Sequence, residues 1–144
     1  MDFTEYRFSE SHMWAKKDGN EVVIGLTEYA VDELGDIIFA ELPDVGSRVD
    51  ADEPMGSIES AKAVEDIAAP VTGEVVRVNE EVINAPELLN EDPYEAAWLM
   101  AVAPNDVKDL DSLLSYDQYL SLIEEVDDDE EEEEDDEDLF SNDE

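Results

Sequence analysis

Gly56-Ser57-Ile58-Glu59-Ser60-Ala61-Lys62-Ala63-Val64-Glu65-Asp66-Ile67-Ala68-Ala69-Pro70 sets one lysine between two short stretches in which apolar and polar residues alternate. Alternation at period two marks half-buried strands, so the stretch predicts two strands joined by a tight turn that holds Lys62 out into solvent. The chain has four lysines, Lys16, Lys17, Lys62 and Lys108, against forty-four acids, and Lys62 is the only one between Asp18 and Val107. A single amine presented this way reads as an attachment point rather than as part of a charged surface.

Working outward, Gly, Pro, Asn or Asp interrupts the chain every six to ten residues up to Val102, the rhythm of short antiparallel strands. Asp18-Gly19-Asn20 predicts a turn between Trp14-Ala15-Lys16 and Glu21–Leu26. Residues 27–34 read as a short helix, with Thr27 as N-cap and Gly35 as its stop. Further strands are expected at Asp36–Leu42, Pro54–Glu59, Gly73–Asn79 and Trp98–Val102. The segments on either side of Lys62 resemble each other weakly: strand, Pro43-Asp44-Val45-Gly46, strand, then strand, Pro70-Val71-Thr72-Gly73, strand. A quasi-repeat meeting at an exposed lysine turn suits a mainly β fold, a flattened barrel or sandwich of two sheets.

A helix is predicted near 115–126. Ser115 and Gln118 have capping-box spacing, and Tyr116, Tyr119, Leu120 and Ile123 form one apolar stripe. From Asp127 to Asp138 every residue is acidic, a composition that cannot bury enough apolar surface to order itself. The expected organisation is one domain over 1–123, followed at 124–144 by the helix end and a disordered acidic tail. Leu139-Phe140 is read as a chance apolar pair in that tail rather than a docking motif.

The formal net charge is −37. Sixteen acids and no bases follow from Glu124 onward, which leaves 28 acids against 7 bases, about −21, on residues 1–123. Such a surface repels polyanions, so nucleic acid and anionic membranes are poor partners. It suits a salt-rich cytoplasm, where counter-ions screen the repulsion. No apolar run is long enough to span a membrane, and the start lacks the pattern of an export signal; a soluble cytoplasmic protein is expected.

Enzymatic readings find little support. Cysteine is absent and His12 is the sole histidine, which excludes thiol chemistry and histidine clusters. Beside Met13-Trp14, His12 reads as a structural or interface residue. The acids nowhere reproduce a calcium loop, and no glycine-rich loop cradles phosphate. No metal site is expected. What remains is a carrier, in which an acylated lysine becomes a flexible tether for a reactive group made elsewhere.

Gly56 to Asn79 resembles the lipoyl-attachment segment of the glycine cleavage system H protein family, part of the wider biotinyl/lipoyl-domain superfamily. Glu59-Ser60-Ala61-Lys62-Ala63 matches that family's Glu-Ser-Val-Lys-Ala, and Pro70-Val71-Thr72-Gly73-Glu74-Val75 its Pro-x-x-Gly-Glu-Val turn. His12-Met13-Trp14, Gly25–Ala30, Leu34-Gly35-Asp36-Ile37, Leu42–Gly46, Pro86–Asn90 and Asp92-Pro93-Tyr94 resemble other family segments, in family order, over roughly residues 6–123. Met13 stands where the family has Glu, Ala61 where it has Val, and Glu95-Ala96-Ala97 where it favours glycines.

The resemblance implies a barrel-sandwich hybrid fold and a non-catalytic carrier. Lipoic acid would be amide-linked to Lys62. Its dithiolane would take an aminomethyl group from a pyridoxal-phosphate glycine decarboxylase and deliver it to a tetrahydrofolate-dependent aminomethyltransferase. A dihydrolipoamide dehydrogenase using FAD and NAD would reoxidise the dithiol. Lipoate-attaching enzymes would recognise the turn through Glu59, Ser60, Ala61 and Ala63, with Glu59 foremost. The alternative is a lipoyl-relay protein, which passes lipoate from the same lysine to other acceptors or serves a redox pathway unrelated to glycine. A biotin carrier ranks lower, because alanines rather than methionines flank Lys62.

Overall fold

The computed structural model describes residues 3–124. The acidic run, Leu139-Phe140 and the end of the expected C-terminal helix lie outside the described residues. Within them, nine strands form two antiparallel sheets. The larger holds β1 (Tyr6–Phe8), β2 (Met13–Asp18), β3 (Glu21–Leu26), β9 (Met100–Pro104), β8 (Gly73–Val78) and β5 (Arg48–Val49), in that order. The smaller holds β4 (Ile37–Glu41), β6 (Pro54–Ser60) and β7 (Val64–Ala68). The sheets do not close into a barrel, so the sandwich side of the expected hybrid describes them.

The β2–β3 hairpin forms where its turn chemistry placed it. Asp18 pairs with Glu21, leaving Gly19-Asn20 as a two-residue turn with Gly19 at φ +63°. Trp14 pairs with Gly25, and its indole packs so close to Gly25 that an added Cβ would lie 2.5 Å from the ring. Only glycine fits there. The indole Nε1–H donates to the Pro93 carbonyl at 3.0 Å, so the same ring ties the hairpin to the loop before β9.

Helix α1 (Glu28–Leu34) carries the cap read from the sequence: the Ala30 amide donates to Thr27 Oγ1 at 3.2 Å. Two short helices, α2 (Glu80–Asn84) and α3 (Leu88–Glu91), follow β8. A 3-10 helix spans Val107–Ser112, and α4 covers 116–124. The reciprocal capping box of α4 is formed, with the Ser115 amide 2.9 Å from Gln118 Oε1 and the Gln118 amide 3.3 Å from Ser115 Oγ. Tyr119, Tyr116 and Ile123 pack with Leu122 onto Tyr6, Phe8 and Trp14; Leu120 is half-buried outside that cluster.

The main core lies between the sheets. Ile24, Val22 and Met100 of the large sheet meet Ile58, Ile67 and Ala40 of the small one, all buried. Glu95, Ala96 and Ala97, in the stretch where the resembled family favours glycines, are not among the non-glycine residues with positive φ. Asp92 holds them as a turn, its carboxylate accepting from the Glu95 and Ala96 amides and its carbonyl from the Ala97 amide. Side chains are therefore tolerated there.

Candidate functional site

Lys62 sits at the tip of the β6–β7 hairpin and is exposed. Glu59 pairs with Val64, the last pair before the tip. Ser60 builds the turn. It is 4% exposed; its amide donates to the Ala63 carbonyl at 2.8 Å, while its Oγ accepts from the Lys62 amide at 3.2 Å and the Ala63 amide at 3.1 Å. A serine oxygen that satisfies two turn amides fixes the loop without a glycine. Ala61 anchors the tip to its neighbour, its amide donating to the Asp36 carbonyl at 3.0 Å.

That neighbour is held from the other side. The Asn90 side chain accepts from the Ile37 amide at 2.9 Å and donates to the Gly35 carbonyl at 2.8 Å. A continuous path therefore runs from α3 through residues 35–37 to the turn that carries Lys62. The sequence reading quoted Asn90 only as a motif match. Its role comes from contacts more than fifty residues apart along the chain, which no local pattern reveals.

Beside the turn lies an open groove of about 420 Å³. Leu26, Leu34 and Ile58 give it apolar wall, and Glu33, Glu65 and Asp66 give it acids, with Lys62 on its rim. Larger depressions of about 630 and 710 Å³ open elsewhere on the surface and do not include Lys62. Among the described residues, no cluster of three or more His, Asp or Glu is arranged to hold a metal ion, and no helix is long and apolar enough to cross a membrane.

His12 also lines the groove, with its backbone in the left-handed region at φ +70°. Its Nδ1 lies 2.7 Å from the Tyr119 hydroxyl, which in turn lies 2.8 Å from Thr27 Oγ1. The imidazole thereby joins the β1–β2 turn, the α1 cap and α4. Burial pushes its pKa below the ordinary value, against a smaller opposing pull from Glu33. Burial likewise pushes the Tyr119 hydroxyl up, so it stays a neutral hydrogen-bonding group.

Of the residues expected to mark the site, Lys62, Ala61 and Ala63 are exposed at the tip, Glu59 is half-buried beside it, and Ser60 is buried beneath it. The arrangement offers one amine on a pinned turn next to a part-apolar, part-acidic groove.

Comparison with known proteins finds one family. The family model for the glycine cleavage H-protein matches residues 6–126. A glycine cleavage system H protein of Halalkalibacterium halodurans is 51% identical over 121 residues, covering 84% of this chain and 94% of that protein. One from Bacillus cereus is 53% identical over 116 residues, covering 81% and 91%. The crystal structure of a glycine cleavage system H protein from Mycobacterium marinum superposes with a TM-score of 0.76 at 35% identity, covering 82% of this chain and 95% of that one. These relatives favour glycine cleavage over the lipoyl-relay alternative.

Proposed function

Because this chain belongs to the glycine cleavage H-protein family, the lipoyl carriers of the glycine cleavage system, we propose that Lys62 is its lipoylated residue. The observation that carries the proposal is the exposed amine at the tip of a hairpin pinned by Ser60 and Asp36. Lipoic acid fits the residues present, since an amide at Nζ needs only an accessible lysine on a rigid turn. When bound, it supplies the dithiolane that takes up and gives away the aminomethyl group.

The chain's own residues supply presentation. Ser60 holds the turn, and the groove wall of Leu26, Leu34 and Ile58 with Glu33, Glu65 and Asp66 suits an apolar arm that ends in an amine. The proposed partners are the pyridoxal-phosphate glycine decarboxylase, the tetrahydrofolate-dependent aminomethyltransferase and the FAD- and NAD-using dihydrolipoamide dehydrogenase. Lipoate-attaching enzymes are proposed to read Glu59, Ala61 and Ala63 around the lysine, on a turn whose shape the buried Ser60 sets. The protein itself is proposed to be non-catalytic and to work in the cytoplasm, where its acidic surface suits a salt-rich medium.

Peptide mass spectrometry of lipoate-replete protein tests the assignment. Lipoate on Lys62 and on no other lysine is expected; a bare Lys62, or lipoate on Lys16, Lys17 or Lys108, contradicts it.

A further inference from the structure

Strand β4 turns two large apolar side chains outward where a regular strand would hide one of them. Ile37 pairs with Ser60 and Phe39 with Glu59, so one residue of β4 is extra to the ladder. In an unbroken strand Ile37 and Phe39 would share a face. The bulge breaks that alternation: Ile37 and Ala40 are buried, whereas Ile38 and Phe39 are 54% and 49% exposed. Phe39 stands in register with Glu59, and Glu59 with Val64, which is 61% exposed. The row Phe39–Glu59–Val64 therefore crosses all three strands, and Val64 is two residues from Lys62. Glu41, Ser57 and Asp66 form a parallel row further along the sheet. Leaving about half of a large apolar side chain in water forgoes roughly half of the 1.5–3 kcal/mol that full burial gives. A bulge that keeps Phe39 outside, on the row next to the hairpin tip that carries Lys62, points to contact with another molecule.

We propose that Ile38, Phe39 and Val64, with Glu59 among them, are the surface on which a lipoate-attaching acyltransferase docks to reach Lys62. The proposal rests on the reading of Lys62 as the lipoylated residue. Reach selects this partner. Before modification, Nζ stands only roughly 6 Å from the lysine Cα, five bonds of about 1.5 Å. An enzyme that acylates it must close on the hairpin itself and cover the neighbouring row. Enzymes that act on the far end of a finished arm can stand off. The surface predicts its complement: an apolar pocket for Phe39 and Val64, rimmed by lysines or arginines that meet Glu41, Glu59 and Asp66. In the reaction the neutral amine attacks the carbonyl carbon of a lipoyl adenylate. The C–N bond forms, the bond from the acyl carbon to the phosphate oxygen breaks, AMP leaves with that electron pair, and a nitrogen proton passes to solvent.

The test uses the full-length protein with a purified lipoate–protein ligase, lipoate and ATP, and follows initial rates of Lys62 lipoylation by intact mass. Phe39→Ser and Val64→Ser are compared with wild type and with Val45→Ser. Val45 is 63% exposed and follows β4 at the end away from Lys62. Each row variant is expected to raise KM about tenfold with kcat little changed, the scale of one lost apolar anchor. Val45→Ser is expected to match wild type. Row variants within twofold of wild type, a fall in kcat at unchanged KM, or an equal effect of Val45→Ser overturns the docking surface. A wild-type protein that accepts no lipoate at Lys62 overturns the reading of Lys62 and this proposal with it.

Discussion

The stem of Lys62 passes over Gly35, so that a Cβ added at Gly35 would lie 3.3 Å from Lys62 Cε. Gly35 also ends α1, with φ +85° and ψ −147°, a region that side chains other than hydrogen rarely enter. One position thus stops a helix, links to Asn90 and clears the path of the attachment lysine.

Gly35→Ala is therefore expected to destabilise the protein by about 1–3 kcal/mol, mostly from backbone strain. Calorimetric unfolding measures it. An unchanged melting temperature would mean that the 35–37 segment relaxes freely and does not fix the turn.

Ser60→Ala removes the oxygen that two turn amides share. A cost of about 1–3 kcal/mol is expected for leaving partly buried donors unmet. Lipoylation of Lys62 should slow in parallel as the tip loosens. A variant equal to wild type in both melting temperature and lipoylation rate would show that strand pairing alone defines the turn.

His12 gives a pH dependence whose sign follows from its burial. Its folded pKa lies below the unfolded value of about 6.5, so folding favours the neutral ring. The contribution is complete above the unfolded value and is lost as pH falls through the window beneath it, by at most about 1.4 kcal/mol per pH unit. Wild type should lose more stability than His12→Gln between pH 7.5 and 5, the shared carboxylate titration cancelling in the difference. Parallel curves for the two proteins would contradict the coupling.

Salt should matter strongly. Among the described residues the ion pairs are Arg48–Asp50 at 3.2 Å and Arg77 with Glu21 at 2.7 Å and Asp18 at 4.0 Å, all at the surface. Those pairs involve Asp18, Glu21 and Asp50 alone, while residues 1–123 carry 28 acids against 7 bases, so like charge dominates. Screening lengths near 3 Å at molar salt remove much of that repulsion. We propose residues 1–123 as the carrier domain, with the acidic residues that follow dispensable for it. The protein truncated after Val126 is then expected to keep its fold and accept lipoate. It should melt markedly higher in about 2 M potassium chloride than in about 50 mM. Equal melting temperatures would remove the salt-adapted reading; loss of folding on truncation would remove the division at the tail.

The hairpin around Lys62, the α1 cap, the Gly19-Asn20 turn and the α4 capping box were legible because each depends on residues a few positions apart. The two-residue strand β5 and three-residue strand β1 were not, since pairing with distant strands defines them. Helices α2 and α3 were hidden for a related reason. Asn79 caps α2 through its side-chain oxygen while its side-chain Nδ2 donates to the Ala96 and Trp98 carbonyls, so the cap serves a tertiary contact as much as a local one. The bulge at Ile38 has no local signature either. Alternation alone would have placed Phe39 in the core with Ile37.

The most direct test of the carrier reading is glycine cleavage reconstituted with the three proposed partner enzymes and lipoate-treated protein. NADH formation that depends on glycine and tetrahydrofolate is read for wild type and for Lys62→Arg. Wild type should support turnover, and Lys62→Arg should fall to the level without carrier while melting at the wild-type temperature. Turnover sustained by Lys62→Arg would contradict the account.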